Sequence, residues 1–208
     1  MLRSIWRVLD HPAVWRRVQA VAGRFTVRAY RRALGDLLRL RGDEAVLDVG
    51  CGTGEYSQLL HYRQYVGVDF NGQYIQSALQ KFGDGERIRF LKMDVADVPK
   101  LDLHLDAAFC VGVTHHLSND ELRKLVTDVL RSVSIRFVVV DMVLPPLWKN
   151  PLSHVLIRMD RGRYGRRKEA LVGILAAEGH EIERIAETFG FPHAVVGISI
   201  RKAAIAQT

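Results

Sequence analysis

The sequence predicts an α/β protein: a doubly wound, mostly parallel sheet of seven strands with a C-terminal antiparallel hairpin and an N-terminal helical extension. Three observations carry this prediction. Short apolar runs alternate with helical stretches between residues 45 and 140, a glycine-rich turn joins the first run to the next helical stretch, and two strand-like runs near the C-terminus are separated by only a few turn residues. The 208 residues suffice for one substantial domain and one site. With 48% hydrophobic and 25% charged residues, the composition excludes disordered, collagenous and coiled-coil classes. No apolar run approaches the roughly 18 residues of a membrane span. The opening MLRSIWRVLDHPAVWRR is charged throughout and lacks the apolar stretch of a secretion signal. Cys51 and Cys110 form neither a disulfide scaffold nor a metal-ligand spacing, so no metal is expected and a reducing cytoplasm fits best.

Taken in order, residues 1–42 read as helices. Asp10 is placed to cap a helix with Pro12 in its first turn, and Val14, Val18, Val21 and Phe25 recur on one face. A second helical stretch over 27–40 stops near Gly42. Strands are predicted at 45–49, 65–68, 88–91, 107–111 and 135–140, with helices at 55–61, 73–82 and after residue 118. Ser118 and Glu121 have the spacing of a capping box. The near-continuous apolar run at 135–140 suits a strand covered on both faces. Residues 144–166 hold three of the six prolines and read as an irregular insertion. A helix over 168–178 ending at Gly179 precedes strands at 180–188 and 194–202, joined through Phe189-Gly190-Phe191-Pro192.

The net charge of +7 is local. Ten arginines lie between Met1 and Arg41 against Asp10 and Asp36, while the remainder is close to neutral. A second cluster gathers Arg158, Arg161, Arg163, Arg166, Arg167 and Lys168 around Asp160. Two compact basic clusters point to a local anionic partner rather than a general polyanion coat.

Residues 46–56, VLDVGCGTGEY, place Gly50, Gly52 and Gly54 between a strand and a helix. Glycines there let the backbone turn sharply and approach a ligand beside the positive end of a helix. The third glycine comes one residue earlier than in a dinucleotide fingerprint, and no GK[ST] of a triphosphate-binding loop is present after it. With Asp48 before it, this GxGxG resembles the first motif of the class I S-adenosylmethionine-dependent methyltransferases, and the chain is most similar to their ubiquinone and menaquinone methyltransferase-like group. The resemblance runs from about 45 to 140 and implies a Rossmann-like fold.

It also implies roles for residues. The cofactor site would comprise Asp48, Gly50, Cys51, Gly52, Thr53, Gly54, Asp69, Phe70, Asp94, Val95, Cys110 and Val111. Within it, Asp69 would bind the ribose hydroxyls, since a carboxylate with two acceptor oxygens suits a vicinal diol. Phe70 packs on the adenine or fills the core. Asp94 accepts from the adenine amine or caps a loop, Val95 meets the ring through its backbone, and the backbone at Cys110 and Val111 lies under the methionine part. His116 and His115 fall where the family's loop after strand four faces the methyl donor, with His116 the preferred general base. The resemblance departs at Arg131-Ser132-Val133-Ser134, where a Gly-Gly turn is common.

The reaction so implied is in-line attack of an acceptor on the sulfonium methyl, with histidine-assisted deprotonation. In this fold the N-terminal extension and the insertion at 144–166 choose the acceptor, and both are basic. Trp148, Arg161, Arg163 and Tyr164 are the candidate substrate contacts. The acceptor expected is a small molecule or lipid-type oxygen or carbon, with peripheral contact at an anionic inner membrane face as an added expectation. An RNA methyltransferase ranks second, followed by a non-catalytic cofactor-binding protein and an NAD-dependent oxidoreductase.

Overall fold

A computed structural model describes residues 12–100, 103–159, 163–177, 180–190 and 193–202. One continuous helix, α1 (Pro12–Leu38), takes the place of the two expected over 12–40. Nothing between residues 25 and 27 breaks a helix, and a shared buried face holds its C-terminal half together: Ala29, Tyr30, Ala33, Leu34, Leu37 and Leu38 are all buried. The helix ends where Arg39 turns left-handed at φ 46°. Phe25 is 44% exposed and so does not belong to that buried face. Asp10 lies outside the described residues.

Seven strands make up the rest of the frame: β1 (Ala45–Val49), β2 (Gln64–Asp69), β3 (Ile88–Lys92), β4 (Leu105–Val111), β5 (Val133–Val143), β6 (His180–Gly190) and β7 (His193–Lys202). They form one sheet in the order β3-β2-β1-β4-β5-β7-β6. The first five pair in parallel, whereas β7 runs antiparallel to both β5 and β6. The predicted doubly wound sheet with a closing hairpin is thus the observed one. Phe191 and Pro192 of the hairpin turn lie outside the described residues.

Alternation along the strands sends side chains into two cores. On one face Leu47, Val66, Cys110, Phe137, Val139 and Ile198 pack with Leu122, Leu125, Val126 and Val129 of α3 (Asn119–Ser132) and Leu171, Ile174 and Leu175 of α5 (Lys168–Leu175). On the other, Val46, Tyr65, Phe109, Val138 and Val140 pack with α1 and with Ile75 and Ala78 of α2 (Gly72–Phe82). The C-terminal half of α1 is therefore a layer of the fold. A Cβ on Gly197 of β7 would stand 2.7 Å from Leu37 Cδ1 and 3.3 Å from Ala33 Cβ, so the missing side chain sets how closely α1 lies on the sheet.

Local chemistry explains most boundaries. Ser118 Oγ accepts from the Glu121 amide while the Glu121 carboxylate takes the Ser118 amide, completing the expected capping box of α3. The chain then passes from Ser132 of α3 directly into Val133 of β5, which is how it dispenses with the Gly-Gly turn. The helix expected over 55–61 is only a 3₁₀ turn, Glu55–Gln58, because Ser57 folds its amide and hydroxyl back onto the Gly54 carbonyl. The insertion, expected to be irregular, contains a helix, α4 (Pro151–Met159), with Pro151 at its first position and Asn150 Oδ1 accepting from the Ser153 amide.

Two glycines test the α1 interface with opposite signs. Gly197→Ala drives a methyl into Leu37 and should cost about 1–3 kcal/mol. At about 2–4 °C per kcal/mol for a domain of this size, that is a readily measured loss in melting temperature. Gly35→Ala, on the open face of the same helix, should gain roughly 0.5–1 kcal/mol. Equal melting temperatures for the two variants would show that the close approach is not sterically limited.

Candidate functional site

The C-terminal ends of the parallel strands meet at one edge of the sheet, and the connections from β1 and β4 leave in opposite directions there. That divergence opens a crevice where ligands of such sheets bind. Gly50, Gly52 and Gly54 line its floor with φ of 71°, 53° and 81°. Side chains at two of them would also collide: a Cβ on Gly50 would lie 2.7 Å from Val113 Cγ2, and one on Gly54 2.7 Å from the Phe90 ring. The turn is pinned to β2, with the Gly50 and Cys51 amides donating to the Val68 carbonyl at 2.8 and 3.0 Å.

Asp69 ends β2 beside this turn, its Oδ2 accepting from the Gly52 amide at 3.0 Å and its Oδ1 from the Asn71 amide at 2.8 Å. The carboxylate thereby shapes the loop as well as facing it. Phe70 is 81% exposed, which removes the core-filling alternative and leaves an aromatic ring open at the rim. Asp94 Oδ1 accepts from the Ala96 amide at 2.9 Å and caps the 3₁₀ turn Val95–Lys100.

Asp48 is buried in β1 just before the glycine turn, where the Tyr65 hydroxyl of β2 donates to its Oδ2. Burial pushes its carboxyl up to about 7, a rise that the Tyr65 hydrogen bond opposes and the charge of Asp69 reinforces. Cys51 and Cys110 are buried thiols whose pKa burial also raises. Thr53 donates to Glu55 Oε1 at 3.3 Å, and Val111 closes β4 half-buried.

The loop after β4 separates the two histidines. His115 is buried; its Nδ1 lies 2.8 Å from Asp141 Oδ1 and its amide donates to Asp141 Oδ2 at 3.1 Å. Thr114 Oγ1 donates to the same Oδ2 at 2.6 Å, and the Met142 amide to Oδ1 at 2.7 Å. Burial alone would push the Asp141 carboxyl up, but the His115 ring and the other donors outweigh it and hold it below the usual carboxylate range. A charged Asp141 places the hydrogen of a neutral His115 on Nδ1 and makes Nε2 the basic nitrogen. His116 is exposed and lies over His115, ring centroids 4.1 Å apart. Of the two histidines, His115 is the one whose ring a buried carboxylate orients.

Three residues of this site take roles that the sequence does not assign to them. Asp141 is one, although a carboxylate inside the apolar run FVVVDMV is a signal that a buried partner is required. Tyr30 of α1 is the second: a Cβ on Gly112 would lie 3.6 Å from its ring and 4.0 Å from His115 Cε1, so the helix closes on the histidine loop. The third is Arg166, grouped by sequence with anion-binding arginines. Its guanidinium is taken up by the Thr114 and Leu117 carbonyls at 2.7 and 2.6 Å and by Asn119 Oδ1, and the Tyr164 amide donates to the His115 carbonyl at 3.0 Å. The insertion is thus strapped to the histidine loop. Arg163, Tyr164 and Trp148 are exposed on it, and Arg161 lies outside the described residues.

A methyltransferase-domain family model matches residues 46–135, which include the glycine turn, Asp69 and the histidine loop. An O-methyltransferase of Penicillium expansum is 28% identical over 141 residues, covering 64% of this chain and 49% of that protein. A tRNA (carboxymethyluridine(34)-5-O)-methyltransferase of Arabidopsis thaliana is 32% identical over 85 residues, 41% of this chain and 20% of that one. The chain spans about half or less of the length of these curated relatives. Among solved structures, the magnesium protoporphyrin IX methyltransferase of Synechocystis with bound SAH superposes with a TM-score of 0.62 at 18% identity, covering 96% of this chain and 99% of that one.

Asp48 gives the site a pH signature. Its folded pKa stands above its unfolded value of 3.8, so the folded state retains a proton the unfolded state has lost, and stability falls as pH rises from about 4 to about 7. Asp48→Asn should therefore gain in melting temperature relative to wild type between pH 5 and pH 8, read by circular dichroism. A difference constant across that range would refute a raised Asp48.

Proposed function

We propose that this chain is a class I S-adenosylmethionine-dependent methyltransferase that methylates an oxygen or carbon of a small-molecule or lipid-type acceptor. The observation that carries the reading is the crevice itself: a left-handed glycine turn, the Asp69 carboxylate bound to it and the His115–Asp141 pair meet at one sheet edge. These residues fit the cofactor. Asp69 stands where an acidic side chain serves a ribose diol, Phe70 offers an open ring at the rim for the adenine, and the open backbone of Gly52 admits close approach. When bound, S-adenosylmethionine supplies a sulfonium methyl that needs no further activation.

The protein's own task is then positioning and proton removal. His115, its Nδ1 hydrogen given to Asp141, takes the acceptor proton on Nε2, and Asp141 stabilises the imidazolium that forms. Residues 1–42 and the insertion at 144–166 select the acceptor in this reading, with Tyr30, Trp148, Arg163 and Tyr164 as its contacts. Their basic surroundings favour an anionic acceptor or one presented at an anionic surface, and the location that goes with it is cytoplasmic. Among the described residues no helix is long and apolar enough to cross a membrane. The likeness to tRNA methyltransferases favours an RNA acceptor as the second reading.

Calorimetry should show S-adenosylmethionine binding and no NAD binding, and Asp69→Ala should weaken the former at least tenfold through lost charge-assisted hydrogen bonds. Unchanged affinity would refute the ribose role of Asp69. In cell extract supplied with methyl-labelled cofactor, label should partition into the lipid or small-molecule fraction. His115→Asn should cut its incorporation by about 10²–10⁴-fold while cofactor affinity holds. Label confined to nucleic acid would replace the acceptor class by the second reading, and label confined to protein would overturn both.

A further inference from the structure

The insertion carries an exposed apolar tip. Leu147 and Trp148, in the turn before α4, are 53% and 78% exposed, and Leu152, in its first turn, is 44% exposed. These are three large apolar side chains within six residues, a concentration that costs free energy in water and marks an interaction surface. The charge around them has one sign. From Leu144 to Met159 the sequence contains no carboxylate, while Lys149 stands between the apolar residues and Arg158 near the far end of α4, both exposed.

We infer that this tip docks on the surface of an anionic phospholipid bilayer, with Leu147, Trp148 and Leu152 entering the headgroup boundary and Lys149 and Arg158 meeting lipid phosphates. A tryptophan beside leucines and a lysine is suited to that boundary, because the indole and the lysine stem lie along the acyl region while their polar ends stay in water. The tip is a turn leading into a short helix, a shape that fits a deformable lipid surface.

Its place in the fold gives the docking a use. The insertion leaves β5 at the same sheet edge as the crevice, and the Tyr164–His115 and Arg166–Thr114 hydrogen bonds hold it to the histidine loop. A bilayer against the tip therefore lies beside the crevice mouth, so that an acceptor anchored in the membrane reaches His115 without crossing bulk water. This last step rests on the methyl-transfer reading; the docking itself does not.

The test uses the full chain and vesicles of phosphatidylcholine, with or without about one third phosphatidylglycerol. The chain should sediment with the anionic vesicles. Leu147→Ser with Trp148→Ser should lower partition about tenfold or more, the loss expected for two interfacial apolar side chains. Lys149→Glu with Arg158→Glu should lower it and flatten its salt dependence. With Trp6→Phe and Trp15→Phe leaving Trp148 as the sole indole, emission should shift to the blue on anionic vesicles. Melting curves and S-adenosylmethionine affinity report that each variant is folded.

No sedimentation, or partition indifferent to Leu147 and Trp148, overturns the proposal; in the second case the arginines before Arg41 carry the binding. A concentration-dependent dimer abolished by the Leu147/Trp148 variant also overturns it and assigns the tip to self-association. Vesicle binding without S-adenosylmethionine binding would sink the enzymatic reading and leave the docking intact, and the converse would do the opposite.

Discussion

The pairing of β1 with β2 on one side and β4 on the other is the constraint on which the rest of the molecule depends. Parallel partners cannot be joined by a tight hairpin, so each connection must leave the C-terminal edge and cross a face of the sheet. Because the chain steps first toward β3 and then toward β5, those connections part above β1. The glycine turn, Asp69 and the histidine loop are all brought to that gap by the register of the strands, although up to 92 residues separate Gly50 from Met142 in the sequence.

Two buried carboxylates flank the gap and are treated in opposite ways. Burial disfavours the charged form of Asp48, a tendency that the Tyr65 hydroxyl opposes and the charge of Asp69 reinforces. Asp141 receives the His115 ring, the His115 and Met142 amides and the Thr114 hydroxyl, and keeps its charge in the core. The difference is the number and kind of donors rather than depth, since both are almost wholly buried. One carboxylate ties β1 to β2 through Tyr65 and the other orients an imidazole.

The basic clusters, which composition presents as a single excess, divide into separate tasks. Arg31 of α1 exerts its charge on Glu55 and Tyr56 beside the glycine turn. Arg166 is a structural strap whose guanidinium closes four acceptors of the histidine loop and insertion, which no count of charges distinguishes from a ligand-binding arginine. Lys149, Arg158 and Arg163 remain on the surface of the insertion.

Periodicity and turn chemistry made the parallel core, the closing hairpin, the capping box and the glycine turn legible in the sequence, because each depends on residues close together along the chain. The same locality misled where tertiary packing overrode it: α1 is one helix because the sheet buries a continuous face from Ala29 to Leu38, and the stretch after Gly54 stops at one turn because Ser57 bonds back. Asp141 and the strap made by Arg166 were illegible as parts of the site, since each acquires its role from a partner on a different element. The sequence by itself determined which residues had to line a crevice. Which histidine faces an orienting carboxylate, which aspartate ties β1 to β2 and which arginine is consumed were decided by the tertiary structure, because hydrogen bonds between distant segments exist only once the sheet has set their register.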